Sequence, residues 1–225
     1  MSLVQLQTTL GYQFADEELL WCALTHRSAS GPNNERLEFL GDSILNFVIA
    51  AELFSRRSDA PEGDLSRLRA NLVNKTSLAR LAREIRLGDC LRLGSGEMKT
   101  GGQRRDSILA DGLEAVFGAV YLDGGFQCCR EMIVRLYGDR LSDLPSSRRL
   151  KDAKTRLQEH LQALRLPLPS YEVLEVAGRA HAQTFEVECR VDGVEDATRG
   201  SASSRRKAEQ RAAEAMLERL GAAAR

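Results

Sequence analysis

Residues 34–45 read Asn34-Glu-Arg-Leu-Glu38-Phe-Leu-Gly41-Asp42-Ser-Ile-Leu45. Steps of three and four residues place Glu35, Glu38 and Asp42 on one stripe of a helix. Leu37, Phe39, Leu40, Ile44, Leu45, Phe47 and Val48 surround that stripe. A helix apolar on nearly every other side is a buried one. Burying one carboxylate costs on the order of several kcal/mol and like-signed neighbours add to the cost, so the stripe persists only if cations neutralise it. Gly41 weakens helix propensity, and its use in such a helix is close approach of another backbone.

A second helix repeats the pattern in Asp111-Gly-Leu-Glu114-Ala-Val-Phe-Gly118-Ala-Val120. Asp111 and Glu114 lie one turn apart and Gly118 continues their face. If the two helices pack through Gly41 and Gly118, then Glu38, Asp42, Asp111 and Glu114 converge on one pocket. Hard oxygen ligands without His or Cys select Mg²⁺, with Mn²⁺ as substitute, over zinc or copper. Divalent ions held by carboxylates hydrolyse phosphodiesters by activating water and stabilising charge on the attacking and leaving oxygens. Any one of these acids alone reads more simply as a helix cap, a dipole partner or an ion pair to Arg36, Arg67 or Arg69. Four at these spacings in two apolar helices read as a site.

Outward from these motifs, the first 141 residues read as successive helices: Asp16 to Leu24, Asn34 to Phe54, Gly63 to Arg86, Ser107 to Leu122 and Phe126 to Leu141. Gly88 to Arg105 reads as an exposed, turn-rich connection. Residues 142–150, polar and containing Pro145, suit a linker. Residues 151–225 change character: a short helix ends at Pro167 and Pro169, period-two strands follow through Tyr171 and Val173 and through Phe185 to Val191, a weaker strand runs from Val194 to Arg199, and an Ala-rich helix runs from Ser204 to Leu220. The fold class is therefore multidomain, an all-α unit followed by a small α+β unit of order α-β-β-β-α.

Composition narrows the function classes. The 225 residues carry 32 Lys+Arg against 32 Asp+Glu, so bulk charge neither demands nor forbids a nucleic-acid partner and only local placement can decide. No apolar run approaches the length of a membrane span, and no basic stretch with an apolar core opens the chain, so neither membrane association nor a secretion signal is expected. Five cysteines, odd in number and without a C-x-x-C pair, fit reduced thiols in a cytoplasm.

The stretch Asn34 to Leu45 resembles the signature motif of bacterial ribonuclease III. The similarity extends through Leu24-Thr-His-Arg-Ser28, Glu62-Gly-Asp-Leu-Ser-Arg67, Ser107-Ile-Leu-Ala-Asp111 and Lys151-Asp-Ala-Lys-Thr-Arg-Leu-Gln158 to the last helix. The resemblance implies a Mg²⁺-dependent endonuclease cutting double-stranded RNA to 5′-phosphate and 3′-hydroxyl ends with short 3′ overhangs, in rRNA and mRNA processing. It implies that Glu38, Asp42, Asp111 and Glu114 bind metal, with Asp42 and Glu114 as the catalytic pair and Glu35 and Glu62 as supporting acids. It also implies a homodimer formed through the signature helix, for which the apolar surplus at Phe39, Leu40 and Phe47 leaves room. His26 is read as structural.

The C-terminal unit resembles the double-stranded-RNA-binding domain, a module that reads A-form shape across successive grooves. By that resemblance Thr155, Gln158 and Glu159 reach one minor groove and His181 the other. Ser204, Arg205, Arg206 and Lys207 open the last helix, where free backbone N–H groups and cations both favour phosphate. Basic residues at a helix start oppose the dipole, which tilts the reading towards phosphate contact. The family's common pattern has a further Lys where this chain has Glu209. A non-catalytic RNA binder and a metal-dependent DNA nuclease are the rival readings; the intact carboxylates oppose the first and the RNA-reading unit the second.

Overall fold

The computed structural model describes residues 1–144, 152–179 and 182–221. The chain divides into two compact units, Met1–Leu144 and Pro145–Arg225. Residues 142–144, expected in the linker, belong to the first: Leu144 is buried and its carbonyl accepts from the Arg57 guanidinium at 3.0 Å. The rest of the expected linker, 145–150, lies outside the described residues.

Seven helices are described in the first unit: α1 (Leu3–Leu10), α2 (Glu17–Leu24), α3 (Glu35–Arg56), α4 (Glu62–Val73), α5 (Lys75–Glu84), α6 (Ser95–Lys99) and α7 (Asp106–Tyr137). The α1 helix has no counterpart in the sequence reading; Ser2 and Gln5 start it with a reciprocal capping box. The single helix expected over Gly63 to Arg86 is two. Asn74 takes an extended conformation between them, and its side chain accepts from the Ser77 N–H at 2.9 Å, capping α5. The two helices expected on either side of residue 124 are present as the two segments of α7, separated by a break at Gly125, whose φ of 80° is open to glycine at little cost; the second segment ends at Tyr137. The connection from Gly88 to Arg105 is less irregular than expected, since it contains α6 and buries Leu91.

The core of this unit lies where α3 packs on α7. Leu45, Val48, Ile49 and Leu53 of α3 and Leu113, Val116, Phe117 and Val120 of α7 are fully buried. The crossing is backbone against backbone. A Cβ on Gly41 would lie 1.7 Å from the Glu114 carbonyl oxygen, and one on Gly118 would lie 2.3 Å from that of Leu37. The expected approach through these two glycines is therefore what the structure contains.

The second unit sets α8 (Ala153–Ala163) and α9 (Arg205–Arg219) beside an antiparallel sheet of β1 (Ser170–Ala177), β2 (Thr184–Arg190) and β3 (Thr198–Ala202) in that order. Leu157 and Leu161 of α8, Cys189 of β2, and Ala212, Ala213 and Met216 of α9 share its core. The third strand lies further along the chain than the expected Val194 to Arg199. A turn through Gly193, φ 89°, occupies the earlier residues, and the Thr198 hydroxyl donates to the Ala212 carbonyl at 2.7 Å, starting the strand against α9.

Replacing Gly41 by Ala forces a methyl group into a backbone carbonyl, so α3 and α7 must separate. We expect Gly41→Ala to lower the unfolding free energy by about 2–4 kcal/mol in chemical denaturation. A variant as stable as the parent would contradict the close crossing.

Candidate active site and RNA-binding surface

The α3–α7 crossing determines which side chains meet. Glu38 lies one turn before Gly41, and Asp111 and Glu114 lie on α7 two turns and one turn before Gly118. Each of the three offers a carboxylate oxygen, and these oxygens all lie within 4.8 Å of one another. Glu114 is buried, and Glu38 and Asp111 are half-buried. Asp42 stands outside this close group: it is exposed, and its Oδ1 accepts from Asn46 Nδ2 at 2.8 Å. It remains near enough for its charge to act on Glu114.

The electrostatics match three crowded acids. Burial pushes the Glu114 carboxyl up to about 8, and the charges of Asp42, Asp111 and Glu38 push in the same direction against the opposing pull of Lys75. Burial and the Asp111 charge raise Glu38 as well. The ion pair at the cluster joins Lys75 Nζ to Asp111 Oδ1 at 3.3 Å. Arg67, one of the cations considered as a neutralising partner, pairs instead with Asp64 within α4.

The cluster opens into a hollow of about 750 Å³ whose lining includes Glu35, Glu38 and Asp111 with the cations Arg27, Lys75 and Arg105. Glu35 is exposed and lies 3.4 Å from Arg27. Glu62 begins α4, is exposed, and accepts from the Ser66 hydroxyl at 2.7 Å; it is not among the residues lining this hollow. His26 borders the hollow but is otherwise engaged, with Nδ1 2.8 Å from the Ser28 hydroxyl and the His26 backbone N–H donating to the Arg92 carbonyl. The sequence reading missed Lys75. Its signal was a cation at the first position of a helix, against the dipole, the same anomaly that singled out Arg205.

The α3 surface departs from the buried helix expected. Phe39 is 78% exposed and Phe47 61% exposed, and Phe54 continues the same face. Leu40, Ile44 and Phe47 of α3 with Tyr121 and Phe126 of α7 line an apolar hollow of about 370 Å³.

In the second unit a hollow of about 620 Å³ is lined by Thr155 and Gln158 of α8 and by Arg205 and Arg206 of α9. Two of the expected contact groups therefore border one concavity. Glu159 is exposed on the next position of α8, and Lys207 is exposed on α9 outside the hollow's lining. Ser204 caps α9, its hydroxyl accepting from the Lys207 N–H. His181 lies outside the described residues.

An all-helical unit with clustered carboxylates, joined to an α-β-β-β-α unit with a basic helix start, defines a nuclease coupled to an RNA-holding module. Comparison with known proteins agrees. Residues 16–141 match the ribonuclease-III-like family model, and residues 153–220 match the double-stranded RNA binding motif. Ribonuclease 3 of Alkalilimnicola ehrlichii is 65% identical over 96% of this chain and 94% of its own, and that of Hahella chejuensis is 58% identical over 97% of each. A crystal structure of the nuclease domain of ribonuclease III from Campylobacter jejuni superposes with a TM-score of 0.61 at 41% identity, covering 64% of this chain and 99% of that one. Another structure of that domain, described for flexibility in a region involved in dimer formation, gives 0.59 at 44% identity over 60% and 95%. The chain belongs to the ribonuclease III family and is a double-stranded-RNA endoribonuclease carrying its own RNA-binding domain.

The raised Glu114 carboxyl has a consequence for stability. Its ordinary value is 4.5 and its folded value about 8, so between these limits the folded state holds a proton that the unfolded state has lost. Stability is then full below about 4.5 and declines as pH rises towards 8. In chelator, thermal melts should show this decline in the parent and a shallower one in Glu114→Gln. Parallel profiles would mean that Glu114 titrates normally.

Proposed function

We propose that this chain hydrolyses the phosphodiester bonds of double-stranded RNA by divalent-metal catalysis, leaving 5′-phosphate and 3′-hydroxyl ends, in the processing of rRNA and mRNA. The observation that carries the reading is the convergence of Glu38, Asp111 and Glu114 within 4.8 Å with Glu114 buried. Such a group is unfavourable by itself, and an added dication relieves it. The donors fit Mg²⁺, with Mn²⁺ as substitute, because all are carboxylate oxygens and no thiol or imidazole is among them. Glu38, Asp111 and Glu114, with Asp42 beside them, would hold the metal. When bound, it supplies Lewis acidity towards water and the scissile phosphate.

The remaining work falls to the protein. Asp42 and Glu114 are the proposed catalytic pair, one exposed to an incoming strand and the other buried at the base of the cluster. Asn46 orients Asp42, and Lys75 lowers the charge that Asp111 presents to its neighbours. Arg27, Lys75 and Arg105 around the hollow are paired with Glu35, Asp111 and Glu97, so attraction for a polyanion there falls to the bound dication. Glu35 and Glu62 are supporting acids at its margin and beyond. In the second unit, Thr155, Gln158 and Glu159 are the proposed minor-groove contacts, and Ser204, Arg205, Arg206 and Lys207 the proposed phosphate contacts.

A second copy of this chain is the proposed partner on the α3 face. Exposed Phe39, Phe47 and Phe54 and the adjoining apolar hollow support it, since aromatic surface at this density is unfavourable in water. Among the described residues no helix is long and apolar enough to cross a membrane. All five cysteines are free thiols, which suits the reducing cytoplasm as the working compartment.

Two experiments test these assignments. Glu114→Gln keeps size and removes charge, so cleavage of a long RNA duplex in Mg²⁺ should fall by about two or more orders of magnitude while duplex binding in Ca²⁺ persists. Cleavage near the parental rate would refute the site. Phe47→Asp should convert a dimer to a monomer in sedimentation velocity, and an unchanged sedimentation coefficient would remove the α3 face as the interface.

A further inference from the structure

Glu209 is an acid inside the basic run that opens α9, and its side chain is only 12% exposed. One carboxylate oxygen accepts from Lys154 Nζ at 2.7 Å and the other from Arg205 Nε at 2.9 Å. Lys154 also lies over the Tyr171 ring, 4.2 Å from its centroid. The next residue, Gln210, continues the attachment. Its oxygen accepts from the Lys154 backbone N–H at 3.2 Å and its nitrogen donates to Asp152 Oδ1 at 3.0 Å. Asp152 in turn caps α8, accepting from the Thr155 N–H at 2.9 Å and from its hydroxyl at 3.1 Å. Consecutive residues of α9 thus fasten the first turn of α8 beside the start of α9.

We infer that Glu209 is a positioning residue for RNA binding, setting the separation between the groove-reading residues of α8 and the phosphate-binding start of α9. The inference rests on the reading of Arg205 and Arg206 as phosphate contacts. A-form RNA presents grooves and phosphates at fixed distances, so a module that reads shape depends on the spacing of its own contacts. By holding Arg205 through Nε, Glu209 leaves the two terminal guanidinium nitrogens for a phosphate oxygen. It keeps Lys154 and Arg205, two like charges, on one carboxylate. Hydrogen bonding from Lys154 holds Glu209 below the usual carboxylate range, so it remains charged at neutral pH.

This role opposes the simple electrostatic expectation. A cation at 209 adds attraction to the RNA polyanion and, acting as one more phosphate contact, steepens the salt dependence by about one unit of log–log slope. A cation at 209 also repels Lys154 and Arg205 and releases α8. Duplex RNA of about 30 base pairs, longer than the roughly 16 that one such domain spans, is titrated with the full chain in Ca²⁺ across a salt series. We expect Glu209→Lys to bind about tenfold more weakly than the parent, with no steepening of the slope, while circular dichroism retains the parental strand and helix signal. Binding that is unchanged, or tighter with a steeper slope, overturns the proposal. If that variant fails to fold, Glu209→Gln is expected to bind about threefold more weakly, and parental affinity overturns the proposal. Arg206→Ala separates the two levels of the argument: it should weaken binding and reduce the slope by about one. If it changes neither, the phosphate reading itself fails and the role of Glu209 falls with it; if it behaves as expected while Glu209→Lys binds tightly, only the positioning role is lost.

Discussion

The contact between the backbones of α3 and α7 is the constraint from which the first unit follows. Ordinary helix pairs keep their axes about 8–10 Å apart because side chains stand between them. Here the Cβ positions of Gly41 and Gly118 would fall on the carbonyl oxygens of Glu114 and Leu37, so the backbones themselves touch. Side chains one turn from such a crossing have little freedom to diverge. Glu38 on one helix therefore meets Asp111 and Glu114 on the other, and the carboxylates are concentrated by the same contact that closes the core. Fold and site share one cause, which is why neither glycine can be exchanged for the sake of helix propensity alone.

That arrangement holds acids where an uncomplicated core would hold aliphatic side chains. Glu114 carries the cost most visibly, since burial and three like-charged neighbours raise it far above the range of a free carboxylate. A lysine at the margin, Lys75, offsets one of the charges but does not fill the space among them. Native proteins retain such locally unfavourable groups where function requires them and compensate through the surrounding packing. The fully buried Leu113, Val116 and Phe117 on the same helix provide that packing.

Much of this was legible because it depended on spacing. Carboxylates three and four residues apart in apolar helices, with a glycine continuing each face, indicate convergence from spacing alone. What was not legible depended on neighbours that spacing does not reveal. The rotation of Asp42 towards Asn46 is a side-chain choice within one helix turn. The exposure of Phe39 and Phe47 depends on which flank of α3 the rest of the unit leaves uncovered, and apolar composition is the same on a covered flank and an open one. The break at Asn74 was readable in principle, since Asn before Lys-Thr-Ser offers a helix cap, but a continuous leucine pattern on both sides hides it. The third strand was misplaced because Val194 continues the apolar period through what is a turn.

The zero net charge of the chain, at first sight unsuited to an RNA partner, is explained by where its acids reside. In the second unit several of the acids are engaged with cations or a helix start. Glu188 faces Arg190 and Arg199, Glu214 holds Arg156, Asp196 holds Arg219, Asp152 caps α8, and Glu209 lies between Lys154 and Arg205. An acid paired with a cation inside the fold presents little field to solvent, whereas Arg206 and Lys207 stand exposed at a helix start where the backbone N–H groups add to their charge. In the first unit Glu38, Asp111 and Glu114 are gathered instead, and the proposed dication would convert that gathering from repulsion to attraction for phosphate. On the proposed assignments, equal numbers of acids and bases would yield two phosphate-seeking surfaces, one by pairing acids with cations and the other by concentrating acids where a dication would bind.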